Sequence, residues 1–174
     1  MAKRYPRTLS SGANNTVVAL SETEVGKLFT GDTRSDIGSE AEKMRAANAV
    51  NGLVVGFVRL DVDEQFDADM LVMARLYPMD FRAWEVERRE GWFDVFEGEL
   101  HALHSAGFVH RDLRRPSEMP GYAYDNIFLT ERGLRLIDVG ISALRISVGE
   151  RLFERFVARE LEDLELFRRE FLTR

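Results

Sequence analysis

The sequence contains no cysteine among its 174 residues, which excludes disulfide bonds and thiolate metal sites. It also contains no apolar run near the roughly 20 residues that span a bilayer, so it predicts no transmembrane segment. The opening letters MAKRYPRTLSSG lack the apolar stretch of a secretory signal, and we therefore expect a cytoplasmic location. Because the formal net charge is −6, we expect no general binding to nucleic acid or to anionic membranes.

Lysine is scarce as well, since Lys3, Lys27 and Lys43 are the only three. The residues that are present suit a globular protein, because 45% are hydrophobic and 31% are charged. No internal repeat, low-complexity segment or Gly/Ser linker divides the sequence. We therefore predict a single domain over residues 1–174, a length that is sufficient to bury a core.

The first half of the chain reads as strands with one helix. Short apolar, β-branched runs bounded by polar or glycine turns predict strands that can form one antiparallel sheet. These runs are residues 16–20, 25–29, 53–60 and 70–76. Between the second and the third run, Ser35 or Asp36 can cap a helix. Apolar residues recur there at helical spacing, at Ile37, Ala41, Met44 and Ala47.

The second half reads as mainly helical, which makes the fold class α+β. Residues 84–106 predict a helix with Gly107 as its C-cap. We expect its buried face to carry Trp92, Val95, Phe96, Leu100 and Leu103. His101 and His104 lie on the same helix, and without a third ligand we interpret them as surface residues. A strand pair at 126–130 and 134–138 follows, and residues 149–173 predict a long amphipathic helix that docks on the first one.

Three segments of the second half carry a recognisable order of chemical groups. They are HRDL at 110–113, DNIFL at 125–129 and LRLIDVG at 134–140. They resemble the catalytic loop, the following strand pair and the metal-binding triplet of the protein-kinase superfamily. The resemblance implies a minimal two-lobed kinase-like fold, with about residues 1–77 as the small sheet lobe and 78–174 as a reduced helical lobe.

The resemblance also implies a role for each polar residue in phosphate transfer from ATP. Lys27 would hold the α and β phosphates, and Glu40 would orient Lys27, with the neighbouring Glu42 as the rival on the surface side of the helix. Asp112 would accept or steer the proton of the acceptor hydroxyl. Asn126 and Asp138 would provide oxygen ligands to Mg²⁺.

Further residues are implied with less direct matches. Arg114 stands where many kinases have a catalytic-loop lysine, and it would contact the transferring phosphate. The segment LSSGANNTVVAL, residues 9–20, corresponds to the glycine-rich phosphate loop. The positions implied for nucleotide binding are Ser10, Gly12, Asn15, Val17 and Lys27. Only Gly12 retains the glycine of the family's G-x-G-x-x-G pattern, so nucleotide clamping is expected to be weaker.

Two departures from the family distinguish this chain. The segment RRPSEMPGYAY separates Asp112 from Asn126, where the family has four intervening residues. This insertion either selects the acceptor or caps the shortened helical part. The second departure follows Gly140, where the A-P-E segment and the usual helical platform are missing.

Three functions remain open on the sequence alone. We expect an ATP-dependent kinase that phosphorylates a protein Ser/Thr hydroxyl. A kinase for a small molecule, sugar or lipopolysaccharide-type acceptor is the first alternative. A catalytically weak pseudokinase that serves as a nucleotide-binding scaffold is the second.

Overall fold

The computed structural model describes residues 8–11, 16–30 and 35–173. The fold is α+β, and its first half forms a five-stranded antiparallel sheet in the order β1-β2-β3-β5-β4. The strands are β1 (Thr8–Ser11), β2 (Thr16–Ala19), β3 (Glu24–Phe29), β4 (Phe57–Asp63) and β5 (Ala68–Ala74). The single antiparallel sheet predicted from the apolar runs is confirmed, and β1 is an additional edge strand that the pattern did not predict.

One helix, α1 (Ile37–Asn48), lies between β3 and β4. Of the two possible caps, Asp36 is the one used, because its carboxylate accepts a hydrogen bond of 2.8 Å from the Ser39 amide. The predicted apolar positions Ala41, Met44 and Ala47 are buried. They join the main core, so α1 is fixed by packing as well as by its cap.

The predicted start of the strand at 53–60 is wrong, because the strand begins at Phe57. Leu53, Val54 and Val55 are buried and connect instead with the second half of the chain. The Val55 amide donates to the Leu136 carbonyl, and the Leu136 amide donates to the Leu53 carbonyl, both at 2.8 Å. The predicted strand at 70–76 lies two residues earlier, at 68–74.

The second half contains the remaining elements. They are a 3₁₀ turn (Phe81–Ala83), α2 (Val86–Ser105), β6 (Phe108–Val109), β7 (Ile127–Thr130), β8 (Gly133–Leu136), β9 (Ala143–Leu144), α3 (Arg145–Val148) and α4 (Glu150–Thr173). β7 and β8 form the predicted hairpin, and β6 pairs with β9. None of the helices in the described ranges combines the length and the apolar character needed to cross a membrane.

The buried face of α2 differs in part from the prediction. Val95 was expected to be buried but is 59% exposed, and Phe93 is buried with Phe96 instead. Val95 and Phe96 are adjacent in sequence and therefore about 100° apart around the helix, so both cannot lie at the centre of one face. The helix ends one residue earlier than predicted, with Ala106 as its C-cap; Gly107 follows the cap with φ +93°, and its amide donates to the His104 carbonyl.

The terminal helix docks on α2, as predicted. The Phe167 ring lies 6.2 Å from Phe93, 5.8 Å from Phe96 and 5.2 Å from Tyr124, measured between ring centroids. Phe171 stacks on Phe167 at 5.3 Å. This aromatic cluster joins α2 and α4 and belongs to the main core.

We expect Phe167→Ala to lower the free energy of unfolding by about 3–5 kcal/mol, since it removes a buried ring and leaves a cavity between two helices. Urea denaturation followed by circular dichroism measures the change. The neighbouring Leu166 is 37% exposed, and Leu166→Ala is the matched control with an expected change within about 0.5 kcal/mol. Equal losses in the two variants would contradict the docking of α4 through Phe167.

Candidate active site

A buried lysine joins three elements that are distant in sequence. Lys27 on β3 lies with its Nζ 2.6 Å from Oε1 of Glu40 on α1, and 3.2 Å from Oδ1 of Asp138 after β8. Lys27 is 5% exposed and Glu40 is 2% exposed. The rival Glu42 is exposed on the opposite side of α1. The structure therefore places Lys27, Glu40 and Asp138 together, although Lys27 and Asp138 are 111 positions apart.

A second contact joins Asp112 and Asn126 across the insertion. Asp112 follows β6, and Asn126 directly precedes β7. The Asn126 side-chain amide donates to Oδ2 of Asp112 at 2.9 Å and to its backbone carbonyl at 3.1 Å. The 14 positions between the two residues therefore do not separate them in space.

Asn126 and Asp138 leave oxygen atoms for a cation. Asp138 uses Oδ1 for Lys27 and for the Gly140 amide, and its side chain is 46% exposed. Asn126 uses its amide nitrogen for Asp112, which leaves its amide oxygen as a ligand. Within the described part of the chain, no three His, Asp or Glu side chains are grouped so that they could hold a metal by themselves. A Mg²⁺ ion here would need further oxygens from water or from phosphates, which is its usual coordination.

The two aspartates of the site have opposite pKa shifts. Burial raises the pKa of Asp112, and the nearby Asp138 carboxylate raises it further. Burial also opposes ionisation of Asp138, but Lys27 and the Gly140 amide outweigh it and hold the pKa of Asp138 below its ordinary value. Asp138 is therefore the firmly anionic member of the site, and Asp112 is the more basic one.

Two site residues have positive backbone φ angles, which residues other than glycine seldom adopt. The angle is +71° at Arg111 and +56° at Asp138. Such a conformation costs about 1–3 kcal/mol per residue, and it persists only where surrounding contacts hold it. The Asp138 turn is held by its own carboxylate, which accepts from the Gly140 amide. The Arg111 turn is held by a residue of α4.

That residue is Glu160, a buried carboxylate that the sequence analysis missed. One oxygen accepts hydrogen bonds from His104 Nε2 at 2.8 Å and from the His110 amide at 3.3 Å. The other oxygen accepts from the Arg111 amide. The sequence carries a signal for it, because Glu160 interrupts the apolar stripe of α4 between Phe153 and Leu164.

The histidines differ from one another in their positions. His110 is fully buried, and its Nε2 lies 2.8 Å from the Ile137 carbonyl, so it packs and shapes the loop. His101 is exposed, as expected. The interpretation of His104 as a surface residue is wrong, because it is buried between α2 and α4 and bonded to Glu160. An acidic partner 56 positions away explains why a polar ring can be buried there.

Three of the residues implied for phosphate binding, Ser10, Val17 and Lys27, lie on the sheet. Val17 on β2 pairs directly with Lys27 on β3, and Ser10 on β1 is the partner of Val17. Gly12 and Asn15 lie outside the described residues. Arg114 is exposed, and its guanidinium interacts electrostatically with the Tyr124 hydroxyl and with Asp163 of α4. Both of these partners of Arg114 belong to the helical half of the chain.

The insertion is an ordered loop closed by Arg115. The Arg115 amide donates to the Ala123 carbonyl at 2.6 Å, and its guanidinium bonds to the Pro120 carbonyl and to Asp125. Gly121 has φ +114°, and a Cβ there would lie 2.7 Å from the Arg115 guanidinium. At its end, Tyr124 is buried against Phe167, so the loop supports the core.

No protein-family model matches the sequence, and no curated protein is significantly similar to it.

We expect Glu160→Gln to lower the free energy of unfolding by about 1.5–3 kcal/mol, because an amide group replaces one of the two acceptor oxygens and faces hydrogen-bond donors. Glu162→Gln, an exposed change on the same helix, is the control and should have little effect. Chemical denaturation compares the two variants. Indistinguishable stabilities would show that Glu160 does not hold the loop.

Proposed function

We propose that this protein is an ATP-dependent phosphotransferase with a minimal kinase-like arrangement of two lobes, which moves the γ-phosphate to a hydroxyl group. The observation that carries the proposal is the contact of Lys27 with both Glu40 and Asp138. Asp112 and Asn126 bond to each other, and Asp112 lies within electrostatic reach of Asp138. These contacts support the resemblance to the protein kinases that the order of the motifs suggests.

Lys27 is suited to hold the phosphates of a nucleotide. Its ammonium group is buried, so water screens it little and its attraction to an anion is strong. Glu40 fixes its direction before any ligand binds, and a preoriented charge needs little rearrangement during the reaction. The Lys27 ammonium group is therefore positioned by α1, and its reach toward a phosphate depends on that helix.

Asp112 is suited to receive the hydroxyl proton. Its Oδ2 accepts from Asn126, which orients the carboxylate and leaves Oδ1 for the acceptor hydroxyl. Its raised pKa makes it a better proton acceptor than an ordinary aspartate. The hydroxyl oxygen would attack the γ-phosphorus, the bond to the β-phosphate oxygen would break, and the proton would pass to Asp112.

The donor set at Asn126 and Asp138 fits Mg²⁺. An amide oxygen and a carboxylate oxygen are hard ligands, and few protein ligands suit an ion that also binds phosphates. When bound, the ion would neutralise charge on the phosphate oxygens. Asp138 would hold it as a firmly ionised carboxylate, because Lys27 and the Gly140 amide already keep it anionic.

Transfer of label from γ-labelled ATP is the direct test of the proposal. In the presence of Mg²⁺ and cell extract we expect labelled product, and Asp138→Asn should reduce its rate by at least about 100-fold, since it removes the charge that holds the metal. Asp94→Asn, at an exposed position of α2, should retain the rate. Thermal melting checks that both variants are folded.

Nucleotide binding is measured separately, by the rise in melting temperature with millimolar ATP and Mg²⁺. A folded protein whose melting temperature does not change would contradict the proposal. A rise without any labelled product would instead favour the nucleotide-binding scaffold.

The rate should depend on pH through Asp112. The deprotonated carboxylate is required, so kcat/KM should fall as the pH falls through a value above the ordinary 3.8. Stability has the opposite dependence: protonated Asp112 favours the fold, and this contribution is lost as the pH rises through the raised pKa. Asp112→Asn should therefore be inactive yet more stable at neutral pH, and the gain in stability should disappear below pH 3.8. A gain that persists at low pH would exclude ionisation as its cause.

A further inference from the structure

A cavity of about 370 Å³ lies in the second half of the chain, and no strand of the five-stranded sheet lines it. Six aromatic rings contribute to its wall: Phe81, Tyr122, Tyr124, Phe128, Phe167 and Phe171. Lys27, which we propose to hold the phosphates, lies on β3, and neither it nor Asp112, Asn126 or Asp138 lines this cavity, so the cavity is separate from the proposed phosphate site. Its volume is within the range of small-molecule pockets in proteins.

The cavity adjoins the catalytic segment through the chain itself. Asp125 and Ile127 line it, and Asn126 between them bonds to Asp112. β7 is therefore both a wall of the cavity and the strand that positions Asn126. A molecule seated in the cavity would lie beside the residues that flank Asn126, whose side chain bonds to the proposed proton acceptor Asp112.

The insertion, which follows Asp112 in the sequence, forms one side of the cavity. Tyr122 and Tyr124 line the wall, and Arg115 holds the loop closed through Asp125. Tyr124 is buried in the core, whereas Tyr122 is 42% exposed. Tyr124 therefore supports the core, whereas Tyr122 is accessible to a ligand.

The polar groups of the lining already have partners. Asp125 pairs with Arg115, Asp80 accepts from the Arg82 amide, and the Arg82 guanidinium lies 5.4 Å from the Phe81 ring centroid. The remaining wall is aromatic or aliphatic, and it gains most from burying an apolar group. A ring fits this lining better than a polyol does.

We propose that the cavity binds the apolar ring of a small-molecule alcohol and presents its hydroxyl to Asp112, which makes that alcohol the phosphate acceptor. The inference rests on the proposed phosphotransferase activity and specifies its acceptor as a small amphipathic molecule rather than a protein. Binding energy from the ring would position the hydroxyl for attack, which is the usual use of contacts remote from the reacting atoms.

The test uses three ring-bearing alcohols, 2-phenylethanol, cyclohexylmethanol and indole-3-ethanol, with glycerol as the acyclic control. Ligand-observed NMR without nucleotide measures binding, and γ-labelled ATP with Mg²⁺ measures transfer. We expect at least one ring-bearing alcohol to bind and to become labelled, and glycerol to do neither. Tyr122→Ala should weaken binding about 5- to 10-fold and reduce labelling, because it removes an aromatic wall. Met119→Ala is the matched control, since Met119 is an exposed residue of the same insertion that does not line the cavity.

Several results would overturn the inference. If ATP with Mg²⁺ raises the melting temperature but no ring-bearing alcohol binds, the acceptor assignment fails and the phosphotransferase proposal stands. If label enters protein and never an alcohol, the acceptor is a protein hydroxyl. Equal effects of Tyr122→Ala and Met119→Ala would remove the site from this cavity. If neither nucleotide nor alcohol binds to the folded protein, the proposed function and the inference fail together.

Discussion

The arrangement of the first half depends on the burial of one cation. Lys27 is almost inaccessible to water, and an unpaired buried ammonium group would cost several kcal/mol. Glu40 and Asp138 compensate it, so α1 and the turn after β8 must both approach β3. Replacing a buried ion pair with apolar residues is often neutral or stabilising, so stability alone does not account for this network. The positioned charge that the proposed phosphotransferase needs would account for it.

In the helical half, the buried carboxylate of Glu160 has a comparable structural role. Glu160 satisfies the amides of His110 and Arg111, and it thereby holds the unfavourable backbone angle that precedes Asp112. The same helix contributes Phe167 to the aromatic core. One helix thus supports the loop with its carboxylate and the core with its ring, which explains how so short a helical part can carry the site.

Local patterns in the sequence predicted the elements that local physics determines. The α1 cap, the end of α2 before Gly107 and the amphipathic α4 each have their signal within a few residues. Errors arose where a partner distant in sequence decides the outcome. The bridge of Val54 to Leu136 moved the start of β4, and Glu160 made a buried position acceptable for His104. Neither partner can be identified from periodicity, although the acidic residue within an apolar stripe was visible.

The two aspartates show that similar side chains acquire different chemistry from their surroundings. Asp138 lies against Lys27 and an amide, and these donors keep it ionised. Asp112 is half-buried and lies near the charge of Asp138, so its pKa is raised although the hydrogen bond from Asn126 acts in the opposite direction. Two carboxylates whose pKa values are pushed apart are typical of sites that divide cation binding from proton transfer. Because Lys27 contacts Asp138 while burial dominates at Asp112, the two carboxylates already differ in pKa before any ligand binds, which is the division of roles that the proposed phosphotransferase would need.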